Sequence, residues 1–158
     1  HRYHLTDENA NVLCRYYDFL IRYLNLFYDP ELQNVSMTHM GWDNYEYQCC
    51  SHSVSAYGEA GKLWVILREK ETRKCLFFIN LCGCADDFWN TGKEKPVPQR
   101  DVHWHVQVDL PVKGICMASP DLPEARALPF WYTGSDKGRF ADFMVPEVSL
   151  WTAVWLDF

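Results

Sequence analysis

Two histidines at alternate positions are the residues of this sequence that come nearest to a metal-binding pattern. His103 and His105 flank Trp104 in a stretch with strand-like alternation, so both imidazoles project from the same face. Two imidazoles on one face could bind Zn²⁺, which usually takes at least three protein ligands. No third ligand is evident nearby, and Asp101 and Asp109 would be guesses. An exposed polar strand face is the favoured explanation of the pattern, and we predict no metal site.

Thiol chemistry is the second candidate, because the chain has seven cysteines. They are Cys14, Cys49, Cys50, Cys75, Cys82, Cys84 and Cys116. An odd number cannot pair completely within one chain. Neither Cys49-Cys50 nor Cys82-Gly83-Cys84 has the Cys-x-x-Cys spacing that is typical of four-thiolate zinc sites. Most of the cysteines lie in apolar segments, where free Cys behaves as a small hydrophobe, so we expect reduced, buried thiols.

Acidic residues near aromatic ones could hydrolyse glycosides. That reaction needs two carboxylates on either side of a sugar, and Asp86-Asp87 and Asp121 with Glu124 are acids in two different predicted loops. Carboxylates in loops are usually solvated, and nothing in the sequence pairs these acids. The sequence also lacks a phosphate-binding loop, a nucleophile elbow and an HExxH motif. We therefore predict no catalytic residue and no cofactor.

The seven tryptophans could form a sugar-binding surface, because sugar rings stack on exposed aromatic rings. Trp64, Trp151 and Trp155 lie in strongly apolar strands and are predicted to be in the core. The candidates for sugar binding lie in or near predicted loops. They are Trp42, Trp89 and Trp131.

Composition and charge exclude some partners. The 158 residues carry a net charge of −6 with the acids spread along the chain, which argues against a nucleic-acid partner. No apolar segment approaches the roughly 20 residues of a membrane-spanning helix, so membrane insertion is not expected. The first residue is His rather than Met, and we expect the chain to be a fragment, a processed product or a trimmed piece.

The only strong helical periodicity lies in residues 6–28. Thr6 or Asp7 can cap its start, and Asp29-Pro30 ends it, because a residue before proline is disfavoured in a helix. The apolar side is wide for a helix that lies on one sheet. That width predicts packing against more protein than this chain supplies.

Alternation with period two replaces the helical pattern after Pro30. Strands are predicted at residues 35–40, 45–50, 62–68, 75–81, 102–108, 114–118, 139–145 and 149–157. About eight strands with polar turns and no helices between them are typical of an antiparallel β-sandwich or barrel. We predict a mainly β fold, a Greek-key-like sandwich preceded by one long amphipathic helix.

Six segments resemble, in order, motifs of glycoside hydrolase family 66, which contains dextranases and cycloisomaltooligosaccharide glucanotransferases. They are the helix from Arg15 to Leu26, Lys62-Leu63-Trp64-Val65, Phe78-Ile79-Asn80-Leu81-Cys82-Gly83, Phe88-Trp89-Asn90, Met117-Ala118-Ser119-Pro120-Asp121, and Phe143-Met144-Val145-Pro146 with Leu150-Trp151. Asn90 stands where the family usually has Arg, and Cys82 and Cys84 replace more ordinary residues.

The resemblance implies a domain division. In this family a (β/α)8 barrel is catalytic and an antiparallel β-sandwich follows it. Residues 1–30 would then be the last barrel segment and its helix, and residues 33–158 would be the sandwich. The family's catalytic Asp and Glu would lie upstream of this sequence, so no catalytic residue is transferred to it.

The leading hypothesis is therefore a non-catalytic accessory domain of an enzyme acting on α-1,6-glucan, with the catalytic barrel as its partner. One alternative is a carbohydrate-binding module that binds α-glucan oligosaccharides through Trp42, Trp89 or Trp131. Another is a protein-interaction domain that docks through the helix. The resemblance implies an extracellular or cell-surface location, whereas unpaired cysteines would also fit the cytoplasm.

Overall fold

A helical layer lies on one of two facing sheets in the computed structural model, which describes residues 6–88 and 90–158. The helices are α1 (Asp7–Arg22), α2 (Leu24–Phe27) and α3 (Ser36–His39). The strands are β1 (Gln33–Asn34), β2 (Tyr47–Cys49), β3 (Val54–Ser55), β4 (Leu63–Lys70), β5 (Arg73–Asn80), β6 (Gln99–Gln107), β7 (Gly114–Ala118), β8 (Arg126–Leu128), β9 (Phe130–Ser135), β10 (Gly138–Val148) and β11 (Trp151–Asp157). The prediction of a mainly β, antiparallel fold with an N-terminal helix is confirmed.

Helix α1 is capped by Thr6, one of the two predicted candidates. The side-chain oxygen of Thr6 accepts a hydrogen bond from the Asn9 backbone N–H at 3.3 Å. Such a bond satisfies one of the free N–H groups at a helix start. The predicted helix of residues 6–28 is interrupted at Tyr23, which has φ −111° and ψ 33°, and α2 continues as far as Phe27. The two helices together therefore end just before Asp29-Pro30, as expected.

The strands form two sheets. One has seven strands, in the order β1-β4-β5-β11-β7-β8, with β3 also paired to β4. The other has four strands, in the order β2-β6-β10-β9. Apart from the parallel pair β3–β4, the strand pairs of the described chain are antiparallel. Strands β4 and β5 form a hairpin around a short turn, with Lys70 opposite Arg73.

The main core lies between the two sheets and explains the alternating pattern. Trp104 of β6 and Phe78 of β5 are fully buried, with ring centroids 5.5 Å apart. Inward side chains of β4, β5, β6 and β10 surround this pair, and they are mostly Leu, Val, Phe and Ala. Because neighbouring strand residues face opposite ways, burying Trp104 directs His103 and His105 to the outside.

A second core lies under the helices, on the outer face of the seven-stranded sheet. Phe19 and Leu26 of the helical layer pack there with Phe77 of β5. Trp151 and Trp155 of β11 also belong to this layer. The prediction that Trp64, Trp151 and Trp155 are core residues is thus met only in part, because all three are half-buried and face away from the inter-sheet core.

One predicted strand is wrong, and four observed strands were not predicted. Residues 35–40 contain helix α3 instead of a strand, because the Asn34 side chain accepts hydrogen bonds from the Ser36 backbone N–H at 3.0 Å and from its hydroxyl at 2.7 Å. This local bonding turns the chain. The strands that were missed are β1, β3, β8 and β9, which are either very short or largely exposed.

A polar contact joins the two sheets at one edge. The hydroxyl of Tyr47 on β2 donates to the Glu69 carboxylate on β4 at 2.7 Å, and the Lys74 ammonium donates to the same carboxylate at 2.9 Å. Burial raises the pKa of Tyr47 well above its ordinary value, and the nearby Glu69 charge adds to the effect. Tyr47 therefore stays a neutral donor.

Candidate functional site

The two outward histidines share one carboxylate that the sequence analysis did not identify. His103 Nε2 lies 3.0 Å from Asp142 Oδ1, and His105 Nδ1 lies 3.0 Å from both Asp142 oxygens. The sheet register causes this, because Asp142 of β10 stands directly opposite His105 of β6. Thr133 of β9 donates a further hydrogen bond to Asp142. We call His103, His105, Thr133, Asp142 and the neighbouring Trp131 the His–Asp–Trp cluster.

Asp142 is charged although it is only 4% exposed. Burial alone would raise the pKa of this carboxyl. The hydrogen bonds from Thr133, His105 and His103 outweigh burial and hold the pKa below its usual value. The charge is therefore used within the protein, where it orients the two imidazoles and the hydroxyl.

The geometry of these residues is that of hydrogen bonding and not of metal coordination. The histidine nitrogens nearest the carboxylate lie about one hydrogen-bond length from it and point at it instead of at a common empty point. Asp101 and Asp109, the guesses for a third ligand, are exposed residues outside this cluster. Among the described residues no group of three His, Cys, Asp or Glu side chains is placed to hold a metal ion.

Trp131 lies at the edge of the same cluster. It stands opposite Asp142 in the β9–β10 register and is 47% exposed. Its ring centroid is 5.7 Å from that of His103, at an interplanar angle of 34°. His105 in turn stacks on Phe140 at 4.0 Å. The cluster thus combines an accessible indole with two imidazoles that are fixed in position.

The other two tryptophan candidates are not brought to this cluster. Trp42 is fully exposed and has a positive φ of 53°. It lines an open cavity of about 590 Å³ beside β2, together with Met37 and Tyr57. Strands β2 and β9 are the two opposite edges of the four-stranded sheet. Trp42 lies beside β2 and Trp131 lies on β9, so the width of the sheet separates them. Trp89 lies outside the described residues.

The cysteines are free, but they do not match the expectation of buried thiols as a group. Cys75 is buried, whereas Cys14 and Cys50 are exposed and the other four are half-buried. Burial raises the pKa of the Cys75 thiol to about 12, so this thiol is neutral and unreactive at ordinary pH.

The loop acids make local contacts. Asp86 accepts hydrogen bonds from the Phe88 backbone N–H and from Thr91, and it pairs with Lys93. Asp121 pairs with Arg15 of α1 at 3.3 Å. These contacts hold a loop and the helix, respectively, and they give neither acid a partner carboxylate.

A second exposed surface lies on the solvent side of the helices. Leu13, Tyr17, Ile21, Leu24 and Tyr28 recur at steps of three and four residues, and each is between 46% and 69% exposed. We call these five residues the outer stripe. The opposite side of the same helices, which includes Phe19 and Leu26, is buried on the seven-stranded sheet. The wide apolar side in the sequence is therefore two separate faces, only one of which this chain covers.

These features define the class of protein as a mainly β sandwich domain with a helix on one sheet and a polar–aromatic cluster on the other. None of the described helices has the length and apolar character needed to cross a bilayer. The model of glycosyl hydrolase family 66 matches residues 1–155, and the chain belongs to that family.

Two relatives are much longer than this chain. A cycloisomaltooligosaccharide glucanotransferase of Niallia circulans is 25% identical over 157 residues, which cover 92% of this chain and 15% of that protein. The crystal structure of a Paenibacillus sp. cycloisomaltooligosaccharide glucanotransferase complexed with cycloisomaltoheptaose aligns with a TM-score of 0.80 at 21% identity. That alignment covers 95% of this chain and 21% of the solved chain, and it shows the same fold. The chain thus spans about a fifth or less of these relatives.

Three of the segments that resemble the family meet at the junction of helix and sandwich. Phe19 of the helix segment packs edge-on against Trp151 of the closing segment, with ring centroids 5.0 Å apart. Arg15 pairs with Asp121 of the Ala-Ser-Pro-Asp segment. Residues of these segments therefore attach the helix to the sandwich.

Proposed function

We propose that this chain is a non-catalytic accessory domain of a larger family 66 enzyme that acts on α-1,6-glucan. The observation that carries the proposal is the outer stripe, whose five apolar side chains face solvent while the other face of the same helices is packed. A regular apolar stripe of this kind on a helix is typical of a surface that another element covers.

The catalytic barrel of the same protein is the partner that we propose for the outer stripe. The relatives are about five times longer or more than the segment they share with this chain, so most of such a protein lies outside this sandwich. The helix would then lie between two modules, with Phe19 on the sandwich and Ile21 on the barrel. In this arrangement the sandwich stabilises the barrel and adds no chemistry of its own.

The hydrogen bonds and ion pairs that the acidic side chains make within this chain support the non-catalytic part of the proposal. Asp142 is saturated by three donors, Asp86 bonds within its own loop, and Asp121 pairs with Arg15. Retaining hydrolysis of a glucan by two carboxylates would have to occur in the barrel.

A hydrolysis assay tests this role. The purified chain is incubated with dextran, and released reducing ends are measured beside the complete enzyme as a positive control. We expect no release above the blank from the chain alone. Release of reducing ends by the chain alone would overturn the proposal.

A separate protein, or a second copy of this chain, is the alternative occupant of the outer stripe. Sedimentation of the complete enzyme distinguishes the two arrangements. A monomeric complete enzyme is expected if its own barrel covers the stripe. A dimer that dissociates when Ile21→Asp is introduced would instead support the interaction-domain hypothesis.

A further inference from the structure

The outer face of the four-stranded sheet has a feature that the accessory role does not use. Trp131, Asp142, His105 and Gln48 stand opposite one another on β9, β10, β6 and β2, so they form one row across the sheet. Neighbouring strands lie about 4.8 Å apart, and the row is therefore about 14 Å long. It has an accessible aromatic ring at one end and polar groups along the rest.

The hydrogen bonds to Asp142 fix which nitrogens of the two imidazoles remain free. An ionised carboxylate can only accept, so His103 Nε2 and His105 Nδ1 must both carry a proton. In the neutral rings this leaves His103 Nδ1 and His105 Nε2 as acceptors. Neither of these atoms bonds to another side chain in the described chain, and the two side chains are 29% and 21% exposed.

The one acidic side chain of the row has no free charge to offer a ligand. The Asp142 carboxylate is buried and already takes hydrogen bonds from three side chains. Gln48 offers donors and acceptors without net charge, and an imidazole in its neutral form does the same. The face therefore suits a neutral ligand that has both an apolar surface and hydroxyl groups.

A pyranose ring has this composition. Its axial C–H groups form an apolar face that can lie on an indole, and its rim carries hydroxyls that donate and accept. Binding sites in general combine such an apolar platform with a few well-placed polar groups. Trp131 supplies the platform, and the fixed rings of His103 and His105 supply acceptors within the same cluster.

We propose that the His–Asp–Trp cluster is a carbohydrate-binding site, in which one pyranose ring stacks on Trp131 and its hydroxyls donate to His103 and His105. Asp142 acts as a positioning residue, because it touches the imidazoles and not the sugar. The choice of an α-1,6-linked glucose oligomer rests on the proposed function, whereas the binding of a neutral sugar rests on the geometry of the face.

The experiment follows the indole N–H resonances in a ¹⁵N-labelled sample of the whole chain while isomaltotetraose is added. The resonance of Trp131, assigned with the Trp131→Ala variant, is expected to shift in a saturable way. Trp42→Ala is the matched control, because Trp42 is a fully exposed tryptophan near β2, at the opposite edge of the same sheet from Trp131. Trp131→Ala is expected to weaken binding about tenfold, as for the loss of one aromatic contact, and Trp42→Ala to leave it unchanged.

A second variant separates the histidine contacts from the fold. His103→Ala should weaken binding, while near-ultraviolet circular dichroism and the urea midpoint show that the sandwich remains intact. An unshifted Trp131 resonance at millimolar sugar, or equal binding by Trp131→Ala, would overturn the site. Either result would leave the proposed accessory role standing. That role is tested by the hydrolysis assay and by whether another module covers the outer stripe.

Discussion

Phe19 and Ile21 lie two positions apart on the same helix and meet opposite environments. Phe19 is 3% exposed and packs edge-on against Trp151, whereas Ile21 is 69% exposed. Both are apolar, and residues two positions apart on a helix point in different directions. Phe19 marks the face of the helix that packs on this chain's own sheet. Ile21 marks the face that we propose packs against the rest of the enzyme.

Replacing Phe19 should therefore destabilise the chain far more than replacing Ile21. Phe19→Ala leaves a cavity under the helix, and we expect it to lower the free energy of unfolding by about 3 to 5 kcal/mol. Ile21→Ala should change it by less than about 0.5 kcal/mol, because the side chain is exposed and Ala favours the helix. Urea unfolding measures both. A large loss from Ile21→Ala in the isolated chain would contradict the assignment of the two faces.

Arg68 is expected to hold the end of the helical layer to the sandwich. Its guanidinium donates to the backbone carbonyls of Phe27, Asp29 and Leu32 at 2.8, 3.1 and 2.7 Å. Arg68→Met keeps much of the length and removes every donor, so we expect a loss of about 2 to 4 kcal/mol in unfolding free energy. The matched control is Arg126→Met, since Arg126 is exposed on β8. Equal urea midpoints for the two variants would show that Arg68 has no such role.

Asp142 should make stability depend on pH in the acidic range. Because the hydrogen bonds hold its pKa below the usual value, the folded state binds its proton less readily than the unfolded state. The contribution of the Asp142 carboxylate to the free energy of unfolding is fully present above its pKa in the unfolded state, about 3.9. This contribution is lost as the pH falls through the lower pKa of the folded state.

The check is the free energy of unfolding measured between neutral pH and the acid range. Asp142→Asn should be less stable than the wild type at neutral pH, and its curve should fall less steeply below about pH 4. Asp136→Asn is the control, because the side chain of Asp136 is 85% exposed. If the Asp142→Asn curve ran parallel to that of the wild type, the carboxylate would not be the source of this acid sensitivity.

Local patterns predicted much of the fold. Strand β7 has the bounds expected from the sequence, and Thr6 caps α1, because both depend on neighbouring residues. Local bonding also explains the failure at residues 35–40, where the Asn34 side chain competes with strand formation. Strand β9 was missed because nearly all of its residues are exposed, so they show no alternation.

The candidate site could be predicted only in part. The outward direction of His103 and His105 follows from their spacing, and Trp131 was a candidate because of its predicted loop position. Asp142 was missed because its partners lie 37 and 39 residues away, and only the register of β6 and β10 brings them together. A lone acid inside Phe140-Ala141-Asp142-Phe143-Met144 was the available signal, since a buried charge needs partners.

The central claim, that another module covers the outer stripe, is tested most directly by hydroxyl-radical footprinting of the isolated chain and of the complete enzyme. Tyr17 and Tyr28 of the stripe are 61% and 68% exposed, and Tyr57 of the sandwich, at 58%, is the internal control. We predict that all three tyrosines are oxidised readily in the isolated chain. In the complete enzyme Tyr17 and Tyr28 should be strongly protected while Tyr57 is unchanged. Oxidation of Tyr17 and Tyr28 at the same rate in both samples would contradict the account.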